Sequence, residues 1–138
     1  MRVFLDASAL AKRYLAEKGS AKVRVLCDRA DRLGVSVICL PELVSTLRRL
    51  VRERRLNEMN YQKLRTVMLD DLADADICEI TTDVMSRTIS LLEANLLRAM
   101  DAIHVACAYV YEADVFASAD RRQLAAAKKL KLKIIDLS

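Results

Sequence analysis

The feature that most constrains this chain is its alternation of short apolar runs with longer stretches of helical spacing. RVFL (2–5), VSVICL (35–40), ICEI (77–80), DVFAS (114–118) and LKIID (132–136) have strand length and are mostly β-branched or aromatic at their apolar positions. Between them, apolar periodicity predicts helices over 8–17, 20–32, 41–55, 61–74, 83–97, 99–111 and 120–130. Punctuation is sparse. Gly19 and Gly34 are expected to end the first two helices, with Ser20 capping the second, and Pro41 to begin the third. Asn60 is the expected cap of the fourth. Strands separated by helices require crossover connections, which produce parallel pairing and helices on both faces of the sheet. Strands buried on both faces read as near-continuous apolar runs, as these do. The expected fold is therefore α/β, a three-layer α/β/α sandwich on a mainly parallel five-stranded sheet, with residues 1–138 as a single domain.

Composition bounds what such a domain does. The 138 residues are 54% apolar and 30% charged, enough to bury a core without disulfide or metal staples. No run approaches the ~20 apolar residues of a membrane helix. Asp6 interrupts the place of a signal peptide's apolar region, so a cytoplasmic location and no membrane partner are expected. Cys27, Cys39, Cys78 and Cys107 form no CxxC pair and His104 is the only histidine, so the cysteines read as reduced, buried hydrophobes and not as zinc ligands. The net charge of +4 is mild, but the basic residues gather in two places: Arg48, Arg49, Arg52, Arg54 and Arg55, then Lys128, Lys129, Lys131 and Lys133. Each cluster alone is adequately explained as a solvated face.

The acids are placed more tellingly. In an open parallel sheet, ligands bind beyond the carboxyl ends of the strands. Asp6 directly follows the first expected strand. Glu42 follows the second by two residues, in the first turn of its helix. Asp120 follows the fourth after Ser118-Ala119. Any one of these is explained as a helix cap; three at one sheet edge are harder to explain that way. Asp101 lies in RAMDAIHVACAYV, near the start of a helix apolar on most of its surface, where a carboxylate needs a partner. His104, three residues on, is within reach on the same helix face, either as a satisfied structural histidine or as a base or ligand.

Four converging carboxylates repel one another and raise one another's pKa unless a cation intervenes. An oxygen-only set without cysteine or a histidine group selects Mg²⁺ or Mn²⁺ over zinc. Such a centre activates water and stabilises charge on a phosphodiester, and surrounding arginines and lysines then hold a polyanionic backbone.

In the order VFLDASAL, PELVSTLRRL, RAMDAIHVACA, FASADRRQLAAAKKL, the chain resembles the PIN-domain ribonucleases, most closely the VapC-type toxins of toxin–antitoxin pairs. The resemblance runs over nearly the whole chain. It implies that Asp6, Glu42, Asp101 and Asp120 form the catalytic acidic centre, with Asp6, Asp101 and Asp120 binding metal and Glu42 positioning or activating water. It implies that Ser8 and Ser118 orient carboxylates or waters. It implies endonucleolytic cleavage of RNA, a homodimer, and a cognate antitoxin whose C-terminal segment crosses the active-site groove. Arg49, seven residues after Glu42, is expected on the same helix face, either meeting a phosphate or pairing with Glu53. Trp is absent and Phe4 and Phe116 lie within strands, so stacking of bases on aromatic side chains has little support. The competing expectation is a non-catalytic α/β module binding protein or RNA, in which the acids are caps and surface charges.

Overall fold

A computed structural model describes residues 1–138. Five strands, β1 (Arg2–Leu5), β2 (Arg32–Ser36), β3 (Asp76–Cys78), β4 (Val115–Ser118) and β5 (Lys133–Asp136), form one sheet in the order β3-β2-β1-β4-β5. Every pairing is parallel. Seven helices connect them: α1 (Ala7–Tyr14), α2 (Ser20–Arg29), α3 (Cys39–Arg52), α4 (Glu58–Ala73), α5 (Thr82–Ala94), α6 (Ala99–Val110) and α7 (Arg121–Lys129). This is the three-layer α/β/α sandwich expected from the alternation of runs.

Period-2 alternation along the strands divides the core in two. Val3 and Leu5 of β1 with Val115 and Ala117 of β4 face a cluster built from α1 to α4, including Leu10, Val23, Leu43, Leu47 and Met68. Phe4 and Phe116 face the opposite way, into Val84, Leu91, Val105, Leu124 and Ala127 of α5 to α7. All four of the sheet-facing residues named for the first side, and both phenylalanines, are at most 2% exposed. β1, central and covered on both faces, therefore ends as a rigid platform beneath whatever follows it.

The second strand differs from the expected one. The helix before it stops at Arg29, and the strand runs Arg32–Ser36, so Gly34 lies inside it and Val37-Ile38 turn into α3 at Cys39. A side chain at Gly34 would meet the Tyr111 ring at 2.7 Å, so this glycine answers to a close approach and not to a helix end. Pro41 accordingly sits two residues inside α3 and not at its start. Ser20 opens α2 with Gly19 as its cap, at φ +90, and Asn57 rather than Asn60 caps α4 through Asn60 N–H at 2.7 Å. β3 is an edge strand with Ile77 exposed, not a buried one. The cysteines are free, with Cys39 and Cys107 buried but Cys27 and Cys78 half-buried. No helix is long and apolar enough to cross a membrane.

Candidate active site

The strand order reverses between β1 and β4: successive strands run outward from β1 to β3, and β4 returns to the other side of β1. Connections leaving neighbouring strands in opposite directions open a crevice at their carboxyl ends. Asp6 follows β1 at that point, and Ser118 ends β4. Asp6, Glu42, Asp101 and Asp120 all line one cavity of about 320 Å³ there, with Ser8, Lys12, Glu17, Thr46 and Gln123.

Asp6 is the most constrained of the four. It is 1% exposed and caps α1, accepting from Ala9 N–H at 2.9 Å. The Ser8 hydroxyl lies 2.8 Å from both of its oxygens, and the Ser118 hydroxyl donates to Oδ2 at 2.8 Å. Each serine is itself fixed: Ser8 Oγ accepts from Ala119 N–H at 3.0 Å, and Ser118 Oγ from Asp120 N–H at 2.9 Å. The two hydroxyls thus stitch the end of β1 to the end of β4. Burial pushes the Asp6 carboxyl above its ordinary 3.8, outweighing the lowering by these donors.

Asp120 caps α7, its Oδ1 accepting from Arg122 N–H at 2.8 Å and Gln123 N–H at 3.2 Å. Asp101 stands in the first turn of α6. Its Oδ1 accepts from Gln123 Nε2 at 3.0 Å, and Arg98 approaches the other oxygen at 3.7 Å. Desolvation first, and then the charge of Asp120, raise the Asp101 pKa.

His104 does not meet Asp101. It is fully buried and reaches across to α3, its Nε2 3.2 Å from Glu42 Oε2 and its Nδ1 2.9 Å from Ser36 Oγ. The tautomer protonated on Nε2 satisfies both contacts: Ser36 donates to Nδ1, and Nε2–H donates to Glu42. His104 is thereby a bracket that fixes Glu42. Arg49 stays outside the cavity. Seven residues carry it about 10 Å along the helix axis beyond Glu42, its side chain is 60% exposed, and its nearest carboxylate is Glu53 at 3.9 Å. Thr46, one turn after Glu42, occupies the cavity wall instead.

Four polar residues of the cavity wall, Lys12, Glu17, Thr46 and Gln123, escaped the sequence reading. Gln123 is 3% exposed and joins the cavity wall while holding Asp101; its only sequence signal is its spacing of three from Asp120. Lys12 lines the same cavity four residues after Ser8, on the same helix face.

The donor set bears on a metal directly. Glu42 Oε1 and Gln123 Oε1 are buried acceptors with no donor in reach. No three acidic, histidine or cysteine side chains are grouped closely enough to hold an ion by themselves. Orphaned acceptors beside carboxylates with raised pKa fit a hard cation; the open arrangement fits Mg²⁺, which keeps several waters and takes only one or two carboxylates directly.

The PIN domain family matches residues 3–129. Ribonuclease VapC45 of Mycobacterium tuberculosis is 31% identical over 106 residues, covering 77% of this chain and 74% of that protein. Among solved structures, FitAcB from Neisseria gonorrhoeae superposes with a TM-score of 0.75 at 16% identity, over 97% of this chain and 96% of that one. A toxin-antitoxin complex from Klebsiella pneumoniae matches with a TM-score of 0.68 at 17% identity, over 99% and 98%. A switch-point cavity with an acid at each expected position, matched along nearly its whole length by one family, makes this chain a member of the PIN-domain family and, within it, a relative of the VapC ribonucleases.

Proposed function

We propose that this protein is an endoribonuclease dependent on Mg²⁺ or Mn²⁺, and the toxin of a toxin–antitoxin pair. The observation that carries the reading is the meeting of Asp6, Glu42, Asp101 and Asp120 in one cavity, beside two buried acceptor oxygens that lack donors. The ribonuclease name of the curated relative and the antitoxin-bound assembly among the structural neighbours support it.

In this reading Asp6, Asp101 and Asp120 surround the cation, directly or through its waters, and Glu42 completes the pocket. The bound cation supplies charge neutralisation on the phosphodiester and eases deprotonation of the attacking water. The chain supplies everything else. Ser8 and Ser118 lock the Asp6 carboxylate in one orientation. Gln123 does the same for Asp101. His104 holds Glu42 by Oε2 and leaves Oε1 as the acceptor for a water proton. Such fixed orientation lowers the barrier because the groups need no reorganisation as charge develops.

The same reading includes a cytoplasmic location, a cognate antitoxin and a homodimer. Met85, Ile89 and Leu92 lie on one face of α5 at helical spacing, 46%, 55% and 37% exposed, an apolar stripe of the kind a subunit interface covers.

The test is incubation with total RNA in Mg²⁺ and in chelator, with the cut ends mapped. Discrete cleavage in Mg²⁺ that chelator abolishes supports the proposal. Intact RNA under both conditions, with RNA or protein still bound, would instead make this a non-catalytic binding module.

A further inference from the structure

Five carboxylates and one cation line the cavity, and the cation is Lys12. An RNA strand entering it meets a strongly negative wall, and a metal ion offsets only part of that charge. Lys12 is built into place. Its side chain is 10% exposed, on the α1 face that carries Ser8. Its stem runs beside Gly19, whose backbone lies at φ +90; a Cβ there would stand 3.1 Å from Lys12 Cδ and 2.9 Å from Leu137 O. The 15–20 turn therefore depends on glycine where the lysine stem passes.

The ammonium at the end of that stem is under-used. It carries three donors, and its one hydrogen-bond partner is Glu17 Oε1 at 3.4 Å, on a side chain 42% exposed. A long contact to a half-exposed acid is a weak restraint, one that a polyanionic strand displaces. By contrast, Arg98 at the rim is 88% exposed and lies 3.7 Å from Asp101.

We propose that Lys12 binds a phosphodiester oxygen of the RNA substrate, with Glu17 as the acid that occupies the ammonium until substrate arrives. This rests on the ribonuclease reading above and names a substrate contact within that site. The test is steady-state cleavage of a short single-stranded RNA in Mg²⁺ across a series of KCl concentrations, comparing wild type with Lys12→Met, Lys12→Arg and Glu17→Gln. Lys12→Met is expected to raise KM roughly tenfold or more. It should also flatten the dependence of log affinity on log salt by about 0.7, one phosphate contact on a single strand. Lys12→Arg should restore most of both. Glu17→Gln should lower KM, which a merely structural ion pair does not predict. Unchanged KM and salt slope in Lys12→Met overturn the inference while leaving the nuclease reading intact. Absence of cleavage by the wild type overturns the nuclease reading, and this inference with it. If Lys12→Met fails to fold, Glu17→Gln decides alone: a KM at or above wild type overturns the proposal.

Discussion

At the scale of single residues, Asp6 shows that capping and chemistry are not alternatives. The carboxylate that caps α1 through Ala9 also takes both serine hydroxyls and faces the cavity. Its position trades stability for that placement. Its folded pKa lies above 3.8, so the folded protein takes up this proton more readily than the unfolded chain. The cost of the buried charge is fully present above the folded pKa and disappears as pH falls through it. Asp6→Asn keeps a good cap and removes the charge, so its urea midpoint at neutral pH is expected to equal or exceed that of the wild type. Gln123→Leu is expected to lower cleavage about 10- to 100-fold with little change in thermal midpoint, because it frees Asp101 to turn. Unaltered cleavage in that variant would show that Gln123 does not orient Asp101 for catalysis. Asp6, Glu42 and Asp120 were legible in the sequence because strand ends mark them, and Asp101 because the helix around it is apolar. The bonds that aim them were not. That His104 braces Glu42 rather than Asp101 depends on how α6 lies against β2, where Ser36 meets the imidazole, and nothing in the spacing of three reports it.

At the scale of elements, strands and helices followed from apolar periodicity, and their boundaries from contacts made far away in sequence. The expected β2 starts late because a glycine between apolar runs reads as a helix terminator, whereas Gly34 lies within the strand and the Tyr111 ring presses on it from the end of α6. That ring is hard to move: it packs on Phe4 at 5.7 Å, lies under Arg2 at 4.1 Å and donates its hydroxyl to Asp76 at 2.6 Å. Gly34→Ala is therefore expected to destabilise by about 1–3 kcal/mol in urea denaturation; a shift of a few tenths would mean the ring yields freely. The same corner sets a pH dependence. Arg32, first, and the Tyr111 hydroxyl hold the Asp76 carboxyl down at about 2, below its ordinary 3.8. This stabilisation is complete above 3.8 and is lost as pH falls toward 2. Asp76→Asn should be less stable than wild type at neutral pH, with the gap closing over that acid window. A constant gap would place the stabilising contact elsewhere.

At the scale of the whole molecule, the sheet order explains why residues more than a hundred positions apart act together. Reversal at β1/β4 puts Asp6 beside Ser118 and Asp120, while α3 and α6 bring Glu42 and Asp101 in from the two helical layers. The parallel order was readable from the alternation of strand and helix. The switch point was not, because sequence leaves the side on which β4 returns undetermined. A rigid core under the site also separates chemistry from folding: a change at Asp6 can abolish cleavage without loosening the sheet. The most direct measurement compares RNA cleavage in Mg²⁺ by wild type and Asp6→Asn, with circular dichroism and thermal melting on the same samples. Loss of cleavage is expected in Asp6→Asn, with an unchanged spectrum and an equal or higher melting point. Cleavage by folded Asp6→Asn at the wild-type rate would contradict it.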